Sequence, residues 1–325
     1  MTETTGMNHS LLQLLCCPFC GGDLHLEEDD DAANQPEYGV IACSCGRYPI
    51  VAGIPILKKG LIGVIGERPC EAWQVINLIE ARRYHEALLA VLLPPPPINP
   101  SPLWREQTAS FLTRTGNDVT ACELLDFYFG HTGGWCEFTS NHYFVYRFGQ
   151  PRHLMSLSLS RIVHQPQKPI LDLACGIGHI TRSLLSGARG QPVIGSDRNF
   201  FFVYVAKNWV ASGVKYICSE ADASLPFRDG ALSTVFCTDA FHVFVNRATC
   251  MRELKRVTQH DGVIVLAALP NKLVNPHPTT LPIEQYESLV ADIPHRLITS
   301  NEILSRYLQK QGPSLADATD MTSVP

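Results

Sequence analysis

Residues 169–182 read Pro-Ile-Leu-Asp-Leu-Ala-Cys-Gly-Ile-Gly-His-Ile-Thr-Arg. The apolar run Ile170, Leu171, Leu173 predicts a buried parallel strand. It stops at Gly176-Ile177-Gly178, and a helical pattern runs from Ile180 to Leu185. Two glycines between a strand and a helix let the backbone approach a ligand closely, and they aim the helix N-terminus at it.

Downstream the same rhythm recurs. Val193 to Asp197 predicts a second strand, and Val214 to Asp222 a third, followed by Ala-Ser-Leu-Pro-Phe. Leu232 to Asp239 predicts a fourth and Gly262 to Leu269 a fifth, with helical segments between most of them. Strand tips carry Asp172, Asp197, Asp222 and Asp239. Alternating strands and helices imply an α/β, doubly wound sheet, in which ligands sit at the carboxyl ends of the strands.

This series resembles the class I S-adenosylmethionine-dependent methyltransferases, over roughly residues 165–270. Their first motif, acid-x-Gly/Ala-x-Gly-x-Gly, is met by Asp172, Ala174, Gly176 and Gly178. The resemblance implies that Asp197 holds the ribose hydroxyls of S-adenosyl-L-methionine. It implies that Asp222 reads the adenine amino group and the amide of Ala223 the ring. Cys237-Thr238-Asp239-Ala240-Phe241-His242 resembles the segment beside the sulfonium, which adds Asp239 to the cofactor-binding set. Arg252 to Val257, then His260-Asp261-Gly262, completes the pattern. A dinucleotide-binding unit also has an acid about 20 residues after its glycines. Here, however, Thr181 stands where that motif needs its third glycine.

The N-terminus carries a different chemistry. Cys16-Cys17-Pro18-Phe19-Cys20-Gly21-Gly22 is followed by Cys43-Ser44-Cys45-Gly46. Two close cysteine pairs about 22 residues apart can close one tetrahedral Zn²⁺ site of four thiolates. The expected metal ligands are Cys17, Cys20, Cys43 and Cys45, with Cys16 as a substitute because the second pair is C-x-C. Four protein ligands leave no open position, so the zinc is read as structural. Residues 10–58 resemble the zinc ribbon of the small activator subunit shared by tRNA and release-factor methyltransferases.

Four segments follow: a zinc ribbon (1–60), a helical, proline-rich linker and substrate lid (61–155), the cofactor-binding sheet (156–275) and a helical extension with a disordered tail (276–325). Helical periodicity is expected over Ala72–Leu93 and 103–130. Glu27 to Asp31 reads as a solvated acidic loop, and the tetraproline Pro94–Pro97, with 98–102, as a stiff linker. The aromatic stretches Gly133–Phe138 and Asn141–Phe148 are placed as the lid, with Tyr146 and Arg147 as acceptor contacts. Beyond the fifth strand, Pro282–Ala291 and Ser300–Gln309 read as helices, and only His295–Thr299 could add a short strand.

The chain has 325 residues, 45% hydrophobic and 18% charged, with net charge −5. It can bury a sizeable core and lacks the basic surplus of nucleic-acid binders. No apolar run reaches transmembrane length, and the polar start is no signal peptide. Twelve cysteines with an N-terminal cluster suggest a metal in a reducing, cytoplasmic setting rather than a disulfide scaffold.

Methyl transfer from a sulfonium is an in-line displacement that depends mainly on positioning. Two polar candidates lie where the acceptor arrives, Asp239 and His242. His242 has the intrinsic pKa of a base near neutrality. Its alternative is packing beside Phe241 and Phe244. Cys175 reads as a small packing residue. Three readings of function stand: a methyltransferase of a small, quinone-like or natural-product acceptor; an rRNA or tRNA base methyltransferase that docks RNA through the ribbon; and a non-enzymatic activator or binding protein.

Overall fold

The computed structural model describes residues 9–27, 36–65, 68–93, 106, 110, 114, 119–131, 140–160, 168–188 and 190–311. The tetraproline and its linker, the segment 133–138, residues 28–31 of the acidic run and the tail 312–325 lie outside them.

The ribbon is a four-stranded antiparallel sheet: β1 His25–Glu27, β2 Gly39–Cys43, β3 Gly46–Val51 and β4 Ile54–Pro55. Its tight β2–β3 turn pairs Cys43 with Gly46 and carries Cys45 at its tip. Glu27, expected in a solvated loop, ends β1, and its carboxylate pairs with Arg47. Next comes a hairpin, β5 Leu61–Ile65 with β6 Arg68–Glu71, that no periodicity in the sequence announced.

The helices Ala72–Glu80 and Tyr84–Leu92 form where the apolar spacing places them. The first buries Val75, Ile76 and Ile79 on one face, the i, i+1, i+4 stripe of an amphipathic helix. A capping box between Glu71 and Gln74 satisfies its first amides. Three further helices, Ala121–His131, Ser140–Gly149 and Pro151–Leu159, precede the main sheet.

That sheet has β7 Ile170–Leu173, β8 Val193–Asp197, β9 Lys215–Cys218, β10 Leu232–Thr238 and β11 Thr258–Ala267. Their spatial order is β11-β10-β7-β8-β9, and every pairing is parallel. The order reverses at β7, where neighbouring strands leave in opposite directions. This is the switch point at which such sheets bind ligands. Residues His295–Thr299 form no strand, and among the described residues the sheet ends at β11. No helix among the described residues is long and apolar enough to cross a membrane.

Two apolar cores cover the faces of the sheet, and the ribbon contributes to both. Ile54 and Ile56 join Ile170, Ile180 and Phe201 on one side. Leu15, Ile50 and Leu57 join Leu171, Leu173 and Leu254 on the other. The ribbon therefore packs on the open edge of the sheet. Ile56 bridges Cys218 in parallel, and the Leu57 amide donates to the Cys218 carbonyl at 2.9 Å. An exposed edge strand is a template for wrong pairing, and the ribbon occupies it.

Candidate functional site

The glycine turn is built by contact. Gly176 and Gly178 have φ of +54° and +83°, which disfavours any residue with a Cβ. A Cβ on Gly178 would also lie 3.0 Å from Ala206 Cβ and 3.3 Å from the Tyr216 hydroxyl. Beneath the turn, Asp172 is buried and accepts from the Thr181 hydroxyl at 2.5 Å. Burial pushes the Asp172 carboxyl up to about 7. Asp172 thus braces the turn from below. Cys175 is buried, and burial pushes its thiol well above the ordinary range, as befits a packing residue.

Asp197, at the end of β8, spans two amides. Its Oδ2 accepts from Gly176 N at 2.9 Å and its Oδ1 from Asn199 N at 2.9 Å. Asn199 caps the next helix through Phe201 N and donates to the Tyr128 hydroxyl at 2.7 Å. Asp222 accepts from Asn246 N at 3.2 Å. The loop from Asp222 to Phe227 is held by Glu253, which accepts from Leu225 N and Ser224 Oγ and pairs with Arg256. Arg256 in turn donates to the carbonyls of Leu225 and Phe227. Sequence reading had placed Glu253 and Arg256 in a motif without giving them a role.

The helix Ser140–Gly149, in the segment expected to be the lid, meets the tip of β10. Tyr146 Oη donates to Asp239 Oδ2 at 3.1 Å, and Arg147 Nη1 donates to the same oxygen at 3.2 Å. Tyr143, buried one turn earlier, lies within 3.7 Å of a Cβ built on Gly176. Three residues expected to serve cofactor and acceptor, Asp239, Tyr146 and Arg147, therefore form one cluster beside the glycine turn. Ala174, Asp239 and Ala268 follow β7, β10 and β11 with φ near +55° (56°, 55° and 55°). Non-glycine residues held there are strained, and such strain clusters where a fold shapes a ligand site. His242 lies on a 3₁₀ turn, Phe241–Val243, half-buried, with its carbonyl accepting from Arg247 at 2.5 Å.

Sequence reading missed two features. His179 and His153 are both buried, with ring centroids 5.2 Å apart. Burial, Arg147 and His153 hold the His179 imidazole down to about 3, neutral at physiological pH. Lys58 reaches from the ribbon to the Arg198 carbonyl at 2.9 Å and to Glu220 at 3.1 Å, beside the loops that follow Asp197 and precede Asp222.

At the ribbon, the sulfurs of Cys17, Cys20, Cys43 and Cys45 all lie within 4.8 Å of one another. The separations Cys17–Cys45, Cys43–Cys45 and Cys20–Cys43 are 3.4, 3.5 and 3.9 Å. Tetrahedral ligation with Zn–S near 2.3 Å sets sulfurs about 3.8 Å apart, so the donor set fits one zinc ion. Amides of Phe19 and Cys45 point at Cys17 Sγ and Cys43 Sγ, both at 3.4 Å. Burial opposes ionisation of Cys17, but hydrogen bonds from Tyr48 and the backbone outweigh it and lower the thiol to about 6. Cys16 is no substitute ligand. It is buried toward the sheet, its amide donates to the Pro226 carbonyl, and burial raises its thiol pKa.

The sequence model of the methyltransferase domain family matches residues 171–266. A demethylmenaquinone methyltransferase of Thermus thermophilus is 31% identical over 125 residues, 38% of this chain and 57% of that protein. A malonyl-[acyl-carrier protein] O-methyltransferase of Legionella pneumophila is 29% identical over 101 residues, 31% of this chain and 36% of that protein. The chain thus spans about half or less of the length of these relatives (57% and 36%). A crystal structure of a SAM dependent methyltransferase from Aquifex aeolicus aligns at 18% identity with TM-score 0.37, covering 48% of this chain and 85% of that one. The main sheet is a doubly wound, Rossmann-like parallel sheet, and the match to the methyltransferase domain family falls on it.

Proposed function

We propose that the chain is an S-adenosylmethionine-dependent methyltransferase acting on a small-molecule acceptor, with one structural zinc in its ribbon. The observation that carries this reading is the row of strand ends: a glycine turn at the switch point, with Asp197 and Asp222 on one side and Asp239 on the other. When bound, S-adenosylmethionine supplies a methyl group on a sulfonium that leaves as a neutral thioether. Asp197 and Asp222 hold the ribose and adenine, the amide of Ala223 reads the ring, and Ala174, Gly176 and Gly178 shape the turn around the cofactor. Asp172 keeps that turn in place from below.

On the acceptor side, Tyr146 and Arg147 bind and orient the acceptor, and Asp239 aligns both donors at the strand tip. A methyl displacement from a neutral leaving group depends on alignment more than on acid catalysis. His242 serves as base where the acceptor must lose a proton. The names of the relatives, one acting on demethylmenaquinone and one on a malonyl carrier protein, support a quinone-like or natural-product acceptor.

Calorimetry with S-adenosylhomocysteine tests the reading. The wild-type chain should bind it, and Asp197→Ala should weaken binding at least tenfold, since hydrogen bonds to a charged group contribute about 1.5–3 kcal/mol each. Unchanged affinity in a folded variant would remove Asp197 from the site, and no binding to the wild type would sink the reading.

A further inference from the structure

The pairing of β8 with β9 ends at Asp197 and Cys218. From there one chain turns into the helix Phe200–Val205, and the other enters the loop that carries Asp222. The Ser219 amide still donates to the Asp197 carbonyl at 3.1 Å. One residue further along each branch, a side chain from the ribbon spans the fork. Lys58 Nζ donates to the Arg198 carbonyl at 2.9 Å and pairs with Glu220 Oε1 at 3.1 Å. Local structure delivers it there: Ile56 bridges Cys218 and the Leu57 amide donates to the Cys218 carbonyl, which fixes the Lys58 backbone at the end of β9. The four-carbon stem supplies reach, and a compact ammonium can donate to two acceptors at once. The Lys58 side chain is 15% exposed, so water and salt screen its contacts less than those of a surface pair.

Both contacts fall next to the acids of the proposed cofactor site. Arg198 lies between Asp197 and Asn199, whose amide donates to Asp197 Oδ1 at 2.9 Å. Glu220 lies two residues before Asp222, whose Oδ1 accepts from Asn246 N at 3.2 Å. A shift of either branch therefore moves one of the two carboxylates. We propose that Lys58 is a positioning residue for the cofactor: it spans the fork and holds Asp197 and Asp222 at their working separation before the ligand arrives. This rests on the methyltransferase reading and assigns one ribbon side chain a part in it. A ligand that fits one loop arrangement loses apparent affinity in proportion to the fraction of chains that hold it.

The test uses the full chain, calorimetry with S-adenosylhomocysteine, and amide hydrogen exchange without it. Lys58→Met keeps most of the stem and removes the donors. It should weaken binding about fivefold, the effect of one net hydrogen bond. The Arg198 carbonyl keeps a second donor, Cys218 Sγ at 3.4 Å, so the variant is expected to fold. Lys58→Arg, which keeps the charge and donors, should recover most of the loss. Glu220→Gln should cost less than Lys58→Met, because the Arg198 carbonyl stays tied. In the free chain, Lys58→Met should speed exchange at the Asn199 and Asn246 amides and leave the Leu57 amide unchanged. Binding within about twofold of wild type, no recovery in Lys58→Arg, or unmoved Asn199 and Asn246 amides would overturn the proposal. So would equal acceleration at Leu57, which would mean that the ribbon had left the sheet edge. Failure of the wild type to bind S-adenosylhomocysteine is a separate outcome. It sinks the methyltransferase reading, while exchange at the two amides still decides whether Lys58 holds the fork.

Discussion

At the scale of single residues, the site buries groups that water would otherwise ionise. His179 is held neutral down to about 3, while the same imidazole in the unfolded chain titrates near 6.5. Between these values the unfolded chain binds a proton that the folded chain does not. The contribution of His179 is therefore present above pH 6.5 and is lost as pH falls toward 3, by up to about 1.4 kcal/mol per unit. Asp172 works the other way: burial raises it to about 7, so its contribution is lost as pH rises from 3.8 through 7. Denaturant unfolding of wild type and His179→Phe across pH 3–7 separates the two, because Asp172 is common to both proteins. The variant should lose less stability on acidification, and parallel curves would show that the imidazole is charged in the folded state.

At the scale of elements, the ribbon and the Asp222–Phe227 loop hold each other. Leu15 bridges Phe227, the Arg228 amide donates to the Leu14 carbonyl, and the Cys16 amide donates to Pro226. A ribbon of this size lacks the core to fold alone, so the proposed zinc would supply folding energy. Elemental analysis should find about one zinc per chain, as one closed tetrahedral site requires, and Cys17→Ser should lower it. Chelation should also speed hydrogen exchange at the Leu57 amide, which pairs with the edge strand β9. Metal-free protein with a protected Leu57 amide would show that the ribbon folds without zinc.

At the scale of the whole molecule, the acidic balance is reinforced by where the cations go. Arg47, Lys58 and Lys59 are the basic residues of the ribbon. Arg47 is paired with Glu27 and Glu80, Lys58 with Glu220, and Lys59 stands 4.1 Å over the Phe19 ring. An RNA-docking ribbon needs cations facing phosphates, with affinity that falls steeply as salt rises. Titration with rRNA or tRNA should give no salt-sensitive binding above the nonspecific level. Micromolar binding at physiological salt, with a steep salt slope, would promote the RNA reading instead.

The strands of the main sheet, the glycine turn and the two cysteine pairs were written locally, in apolar runs, in residues tolerant of positive φ and in short ligand spacings. Periodicity reports only near neighbours along the chain. For that reason it missed the short β5–β6 hairpin, where Gly63 and Pro69 interrupt a weak alternation. It also left open whether Cys16 or Cys17 joins the cysteine cluster, since adjacent residues in an irregular turn carry no face. Tertiary structure alone decided that the ribbon covers the β9 edge, that Arg147 reaches Asp239, and that His153 meets His179. Those contacts join segments far apart in sequence, and they exist only once the sheet order has brought the strand ends and the helix Ser140–Gly149 to one side.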